Sequence, residues 1–210
     1  VPGFFTARCL HAVAALAATR DRLASEGDLR GAAAAQEEVC ALSGGDPRQL
    51  AGLVATRIAA GNTTGALDLA ATLLDRKDLG RALRGAVESL RADAWWLEGR
   101  RNEALAEYRR LLAGLTEPAD RRLTLVKIHG ASSPEADPFL LEYLLRPHAP
   151  DDAGVIDGLE RFVRATPSDP MAHYLLGRAE TGRGLQVEAA RDLGEALGLG
   201  LAPDEVRLEA

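Results

Sequence analysis

Apolar positions along most of this chain follow a helical spacing, and few segments alternate between apolar and polar residues as strands do. A glycine followed five residues later by an alanine occurs at Gly27 and Ala32, Gly61 and Ala66, Gly99 and Ala104, and Gly184 and Ala189. Seven and eight residues after these alanines come the pairs Val39-Cys40, Leu73-Leu74, Leu111-Leu112 and Ala196-Leu197. Residues at these distances share one face of a helix. The pattern predicts helix pairs, with the glycine in the turn and the alanine at a close crossing.

The spacing of the glycines predicts the number of units. They lie 34, 38 and 85 residues apart, and 85 equals two steps of 34 plus a surplus of 17. A step of 34 back from Gly184 reaches Pro150, with Val155 in the alanine position and Phe162-Val163 in that of the apolar pair. This stretch is a fifth, degenerate unit.

Five units therefore account for about four fifths of the chain. Their expected bounds are Val13–Asp46, Pro47–Arg84, Gly85–Pro118, Ala136–Asp169 and Pro170–Pro203. The surplus predicts one inserted helix from Ala119 to about Ile128, followed by a Gly-Ser-Pro break. We expect an N-terminal block of three units over residues 1–118, the inserted helix and break over 119–135, and a C-terminal block over 136–210 in which APDEVRLEA begins a capping helix.

Three helix starts carry the same dipeptide signal. Asp46-Pro47, Asp137-Pro138 and Asp169-Pro170 each place a capping carboxylate before a proline. The fixed φ of proline suits the first helical turn.

Two stretches resemble the tetratricopeptide repeat, whose signature is W-x2-L-G-x2-Y, then A-x3-F, then A and P. The first is HYLLGRAETGRGLQVEAARDLGEALGLG, where the signature positions hold Leu176-Gly177, Gly184, Ala189, Leu193 and Ala196. The second is WWLEGRRNEALAEYRRLL, where Trp95, Gly99, Ala104 and Tyr108 match and Ala92 replaces the first glycine. The earlier units depart further, with Arg20 and Val54 in that glycine position and Gln36 and Ala70 in place of the aromatic residue.

This resemblance implies an all-α fold, a right-handed superhelical α-solenoid of antiparallel helix pairs with about five units. Related helical-hairpin arrays remain an alternative. It also implies a concave groove, lined by the first helix of each pair, that binds an extended peptide or a partner helix. In this register Ala17, Ala51, Ala55 and Ser89 line the groove, and the partner-binding residues are Asp21, Arg48, Asp93, Trp96, Leu140, Leu144, Tyr174 and Arg178.

The chemistry of these groove positions restricts the partner. Lysine and asparagine, which family members use to clamp an acidic peptide C-terminus, are absent from them. Alanines, leucines, two aromatic residues and two arginines suit an amphipathic helix or an apolar peptide with an acidic flank. Trp95 matches a core position, so the adjacent Trp96 should face the groove. The alternative is that Trp96 packs against the inserted helix or a second copy.

Charge argues against a nucleic-acid partner. The formal net charge is −6, and phosphate neutralisation needs a basic face. The same balance disfavours anionic membranes. Residues 76–127 carry 12 basic and 8 acidic side chains, a local +4, which leaves 13 against 23, or −10, elsewhere. This basic centre could steer an acidic partner, but solvated arginines on outer helix faces are the simpler explanation.

No catalytic, cofactor or metal site emerges from the sequence. His11, His129, His148 and His173 fall in different units without metal-ligand spacing, and Cys9 and Cys40 form no disulfide framework. A hydrolase or transferase site around residues 129–152, where PHAPDDAGVID places a histidine beside two aspartates, is a remaining alternative. Helix capping by Asp151 or Asp152 is the simpler interpretation.

The function expected is that of a non-enzymatic scaffold or adaptor for a protein or peptide partner, within a larger protein. The alternative is an oligomerisation or structural module of a membrane-associated multidomain protein, suggested by the apolar stretch FFTARCLHAVAALAATRDRL. No run of 18 apolar residues would span a membrane. The sequence leaves the compartment open between cytoplasm and periplasm. Because the chain begins Val1-Pro2 without an initiator methionine, any tether is expected in a segment outside it.

Overall fold

The computed structural model describes residues 2–145 and 153–201, and every regular element in these ranges is an α-helix. The all-α prediction is therefore confirmed. The helices are α1 (Pro2–Ser25), α2 (Leu29–Leu42), α3 (Pro47–Ala59), α4 (Thr63–Leu74), α5 (Arg81–Leu97), α6 (Arg101–Leu112), α7 (Pro118–Ser132), α8 (Asp137–Leu145), α9 (Ala153–Ala165), α10 (Pro170–Gly182) and α11 (Gln186–Gly198).

The chain forms two compact units, residues 1–107 and 108–210, and α6 runs across the division. In the first unit α1 packs on α2, α2 on α3, α3 on α4 and α4 on α5. A further contact between α3 and α5 places the first helices of two successive hairpins side by side. In the second unit α7, α8, α9, α10 and α11 pack in sequence order. The predicted blocks with limits at 118 and 135 stay a prediction.

The four repeat glycines occupy the turns for which they were predicted. Their φ angles are 81° at Gly27, 77° at Gly61, 77° at Gly99 and 76° at Gly184. A residue with a Cβ is strained in this left-handed region, whereas glycine enters it without steric cost. Each glycine therefore ends one helix and lets the chain reverse into the next.

The four repeat alanines are all buried, which agrees with their predicted position at close helix crossings. Ala32 and Ala189 are 2% exposed, and Ala66 and Ala104 are completely buried. Ala66 belongs to a core formed by α3, α4 and α5, together with apolar side chains from all three helices. The other buried members are Ala51, Val54, Ile58, Ala70, Leu73, Val87 and Ala94.

Gly177 shows why the first glycine of the signature matters where it is present. A Cβ built on Gly177 would lie 2.8 Å from Leu193 Cγ and 3.1 Å from the Leu193 amide nitrogen. The helices α10 and α11 therefore approach so closely that no side chain fits at this position. In two other hairpins Val54 and Ala92 fill the equivalent position and are completely buried, whereas in the first hairpin Arg20 fills it and is only partly buried.

Two of the three predicted Asp-Pro caps are confirmed. Asp46 Oδ1 accepts hydrogen bonds from the amides of Arg48 (2.9 Å) and Gln49 (3.2 Å). Asp169 Oδ1 accepts one from the amide of Met171 at 2.9 Å. Asp137 is buried and is the first residue of α8, so it lies one position inside the predicted cap and Ala136 precedes the helix.

The start of α8 is instead organised one turn earlier. The Ser133 hydroxyl accepts a hydrogen bond from the Ala136 amide at 3.3 Å, and the Ser133 carbonyl accepts one from the Asp137 amide at 3.0 Å. The chain has therefore already turned into the helix when it reaches Asp137.

The inserted helix is present but longer than predicted. It runs over Pro118–Ser132, so Gly130 lies inside it, buried, and the break is confined to a few residues before α8. Packing of α7 on α8 explains this extension, since tertiary contacts override the weak helix propensity of Gly130. In the degenerate fifth unit Phe162 is completely buried, as its position predicts. The predictions for Pro150, His148, Asp151, Asp152 and the capping segment 202–210 lie outside the described residues.

Arginine side chains connect helices through backbone carbonyls. Arg84 donates from Nη1 to the Leu74 carbonyl (2.7 Å) and from Nη2 to the Arg76 carbonyl (2.9 Å), beyond the end of α4. Arg121 donates to the carbonyls of Leu112 (3.2 Å) and Leu115 (3.1 Å) at the end of α6. The last carbonyls of a helix have no partner within it, so these donors satisfy groups that would otherwise need water.

The crossing at Ala66 can be tested by enlarging its side chain. Ala66→Leu should lower the free energy of unfolding by about 1–3 kcal/mol, because the added carbons have no space between the packed helices. Ala71→Leu, exposed on the same helix, is the matched control and should change it by less than about 0.5 kcal/mol. Urea denaturation followed by circular dichroism measures both. Equal effects of the two substitutions would contradict the close crossing.

Candidate partner-binding surface

The structure separates the eight predicted partner-binding residues by burial. Asp21, Arg48 and Arg178 are exposed, and Leu144 is half-buried. Asp93, Trp96, Leu140 and Tyr174 are buried, with at most 4% of each residue exposed. The buried side chains contribute to packing and present no surface to a ligand in this conformation. The role of the eight residues in partner binding stays a prediction.

Tyr174 and Arg178 are brought into direct contact. They lie one turn apart on α10, and the Arg178 guanidinium carbon is 5.8 Å from the centroid of the Tyr174 ring. Asp93 and Trp96 likewise lie one turn apart on α5. Asp21 forms an ion pair with Arg20, its neighbour on α1, at 2.6 Å.

The structure reverses the burial expected of the two adjacent indoles. Trp96 is 1% exposed, whereas Trp95 is half-buried. The guanidinium carbons of Arg91 and Arg100 lie 4.8 and 5.1 Å from the Trp95 ring centroid, so cation–π contacts hold this ring between two arginines. Arg91 also pairs with Glu107 of α6 at 2.7 Å. In the sequence, the arginines four residues before and five residues after Trp95 indicate that this ring lies in a polar environment.

A buried polar network links the first three helices. Arg20 of α1 donates to Gln36 Oε1 at 2.7 Å, and Gln36 Nε2 donates to the Gln49 carbonyl at 2.8 Å. Gln36 of α2 is completely buried, and its Nε2 also lies 3.9 Å from Cys40 Sγ. Burial raises the pKa of the Cys40 thiol, so the thiol stays protonated at neutral pH.

Two histidine–aspartate pairs in the second unit were missed by the sequence reasoning. His129 Nε2 of α7 lies 2.8 Å from Oδ2 of Asp169, the cap of α10. His173 Nδ1 lies 2.9 Å from Asp192 Oδ1, and His173 Nε2 lies 3.1 Å from the Pro167 carbonyl. The partners are 40 and 19 residues apart, so no local spacing could have indicated them.

The environment of Asp169 favours its ionised form. Burial by itself raises the pKa of this carboxyl, but the hydrogen bond and charge of His129 and the amides of Met171 and Ala172 outweigh it. The net effect lowers the pKa of Asp169. Each histidine–aspartate pair joins two helices. The described residues contain no group of three or more His, Cys, Asp or Glu side chains placed to hold a metal ion.

Glu180 carries a carboxyl group whose burial is not fully offset by hydrogen bonds or opposite charges. It is 4% exposed, and its Oε2 atom has no hydrogen-bond partner among the described residues. Burial raises its pKa, and the negative charges of Asp192, Glu188 and Glu160 act in the same direction against a smaller opposing effect of Arg191. An ionised Glu180 is therefore unfavourable in the folded state.

The described residues define a class of protein: an all-helical chain whose successive helices pack as hairpins. No protein-family model matches the sequence, and no curated protein matches it. Two crystal structures of MamA are similar in fold. One has a TM-score of 0.43 and 19% sequence identity, over 86% of this chain and 93% of that one. The other has a TM-score of 0.45 and 18% identity, over 91% of this chain and 97% of that one. Among the described helices, none has the length and apolar character needed to span a bilayer.

The unequal burial of Trp95 and Trp96 can be tested by truncating each side chain to alanine. Trp96→Ala should lower the free energy of unfolding by about 3–5 kcal/mol, as expected for a buried aromatic side chain. Trp95→Ala serves as the matched comparison and should cost clearly less, because this ring is only half-buried. Guanidinium unfolding monitored by circular dichroism gives both values. A larger loss for Trp95→Ala would contradict the burial of Trp96.

The raised pKa of Glu180 predicts a pH-dependent effect on the stability of the protein, which can be tested by substitution. The pKa of Glu180 is higher in the folded than in the unfolded state, so its ionisation penalty is absent below the unfolded pKa and fully present above the folded one. Glu180→Gln should therefore stabilise the protein near neutral pH, and the gain should disappear at about pH 4. Urea denaturation at the two pH values, with exposed Glu38→Gln as control, measures the difference. A gain independent of pH would contradict the assignment.

Proposed function

We propose that this chain is a non-enzymatic scaffold that binds a protein partner along the first helices of its hairpins, in a tetratricopeptide-like superhelical array. The observation that carries the proposal is the placement of charged side chains on these helices. Asp21 of α1, Arg48 of α3 and Arg178 of α10 are all exposed, each beside packed apolar side chains of the same helix. A charged side chain on a rigid helix offers a fixed contact point to a ligand.

The partner that suits these positions is an amphipathic helix or apolar peptide with acidic flanks. Arg48 and Arg178 supply two exposed guanidinium groups, which bind carboxylates in a bidentate geometry. Arg178 is ordered by its contact with the Tyr174 ring, so less side-chain entropy is lost when it binds. The half-buried Leu144 of α8 adds apolar surface in the second unit.

The buried residues of the predicted set have a supporting role in this proposal. Asp93, Trp96, Leu140 and Tyr174 hold the first helices in place, and they act on binding through the position of their exposed neighbours. Substitution of these four is therefore a poor test of binding, because it would change stability as well.

Binding of a synthetic peptide tests the proposal directly. The probe is a fluorescent amphipathic helical peptide with glutamate flanks, and its partner probe has glutamine flanks. The glutamate peptide should bind more tightly, and its affinity should fall as salt concentration rises. Arg48→Glu or Arg178→Glu should each weaken binding by about fivefold or more, the equivalent of roughly 1 kcal/mol. Fluorescence anisotropy measures the affinities.

Control variants carry the same charge reversal on second helices. Arg30→Glu on α2 and Arg109→Glu on α6 change exposed arginines away from the proposed surface, and affinity should stay within about twofold. Equal losses for all four reversals would indicate a general charge effect and would reject a binding surface on the first helices. Failure of both peptides to bind would reject the proposed partner chemistry.

A further inference from the structure

Both ring nitrogens of His173 face hydrogen-bond acceptors. Nδ1 lies 2.9 Å from Oδ1 of Asp192 on α11, and Nε2 lies 3.1 Å from the carbonyl oxygen of Pro167, in the turn between α9 and α10. A backbone carbonyl only accepts hydrogen bonds, so Nε2 must carry a proton to make this contact. The ring therefore connects the α9–α10 turn to α11.

The contact with Asp192 also requires a donor on the ring. Arg191 donates to Asp192 Oδ2 from Nε at 3.2 Å and from Nη2 at 2.7 Å. An ionised carboxylate accepts at both of its oxygens, and a guanidinium only donates. With Oδ2 accepting from Arg191, Oδ1 accepts from Nδ1 of His173. The geometry thus places one proton on each ring nitrogen, which makes the ring a charged imidazolium.

A neutral ring would satisfy only one of the two contacts. Neutral imidazole has one N–H donor and one nitrogen that accepts, so the second nitrogen would face an oxygen with no proton between them. Water has little access to the pair, since 11% of the His173 side chain and 4% of the Asp192 side chain are exposed. A buried acceptor that loses its donor is costly. Because the bond to the carboxylate is charge-assisted, the bond to Pro167 is the weaker one and would be lost.

The turn that His173 holds is also attached to α7. Asp169, two residues after Pro167, caps α10 through the Met171 amide, and its Oδ2 lies 2.8 Å from Nε2 of His129. One donor is sufficient for this contact, so a neutral His129 can also make it. Loss of one proton from His173 therefore releases the turn from α11 while Asp169 keeps its contact with α7.

Charged groups from four helices lie around the contact between His173 and Asp192. They are Asp169 at the start of α10 with His129 of α7, Glu180 further along α10, Glu160 of α9, and Glu188 and Arg191 of α11. Glu180 matters most for any measurement, because it interacts with Asp192 and its pKa is raised. Its ionisation must be removed before a pH effect is assigned to His173.

We propose that His173 is a proton-dependent switch, in which the imidazolium joins the α9–α10 turn to α11 and the neutral ring releases the turn. Histidine is the side chain that ordinarily changes charge between about pH 5 and 8. Folding takes up a proton when the switch is closed, so its contribution to stability is present at low pH and is lost as pH rises. The switch does not depend on the proposed peptide site.

Nuclear magnetic resonance of the ring nitrogens tests the protonation state directly. The His173 signals are identified by their loss in His173→Gln. At about pH 6 both nitrogens should carry a proton, and at about pH 8 Nε2 should have lost its proton. The Asp169 amide, which donates to the Thr166 carbonyl at 3.0 Å within the turn, should then show a lower hydrogen-exchange protection factor. A ring with an unprotonated nitrogen at pH 6 would overturn the proposal.

Unfolding at the two pH values tests the role of Asp192. All variants carry Glu180→Gln, which removes the ionisation of that side chain. From pH 6 to pH 8 the unfolding equilibrium constant should rise by about fivefold more with His173 present than with His173→Gln. Asp192→Asn should abolish this excess, because an asparagine amide can donate to an unprotonated Nδ1 and the neutral ring then makes both contacts. Urea denaturation measures the constants.

The matched control is a histidine that faces solvent. His11 of α1 is exposed, and His11→Gln should leave the rise between the two pH values within about twofold of that with His11 present. A purely structural contact would make Asp192→Asn equally destabilising at both pH values, with the full pH dependence retained, and that result would reject the switch. Should a substituted chain fail to fold, the ring nitrogens of the unsubstituted protein decide the question.

Discussion

The packing of this protein depends on how closely two helices of a hairpin approach each other. A small side chain at the crossing sets that distance, and Ala32, Ala66, Ala104 and Ala189 are all buried there. A larger residue would separate the helix axes and remove contacts along both helices. With few aromatic residues in the chain, the core consists mainly of alanine, leucine and valine, which pack well only at short distances. The turn glycines and the apolar faces are both arranged around this constraint.

Features that depend on one helix and its turn could be predicted from the sequence. The positive φ of Gly61 and the caps at Asp46 and Asp169 arise from interactions within a few residues, so a short pattern contains all the information needed. Features that depend on tertiary neighbours could not. Whether Trp95 or Trp96 enters the core depends on the exact rotation of α5 against other helices, and a register taken from a degenerate signature has an error of one position.

The polar contacts between helices also depend on tertiary neighbours and could not be predicted from the sequence. Gln36 occupies a position where the tetratricopeptide signature has an aromatic residue, and its amide replaces ring packing with hydrogen bonds to Arg20 and Gln49. The loss of the aromatic residue weakens the resemblance in sequence but leaves the two neighbouring helices connected. Part of the divergence of the early units is thus a replacement of aromatic packing by hydrogen bonds. This replacement is recognised only in the structure, where the partners of Gln36 are known.

Carboxyl groups with a lowered pKa occur in both units: Asp78 and Glu103 in the first, beside Arg76 and Arg100, and Asp169 in the second. In the first unit, Arg20 and Arg84 link helices to an amide and to backbone carbonyls, and none of these groups changes charge in the physiological range. In the second unit, the link between α7 and α10 depends on the Asp169 carboxylate, whose pKa is lowered in the folded state. Its stabilising contribution is present above the unfolded pKa and is lost as pH falls through the folded one. Acidification therefore acts on the second unit in two directions, since it removes the contribution of the Asp169 carboxylate and also relieves the ionisation penalty of Glu180, so that a change in pH redistributes stability within this unit.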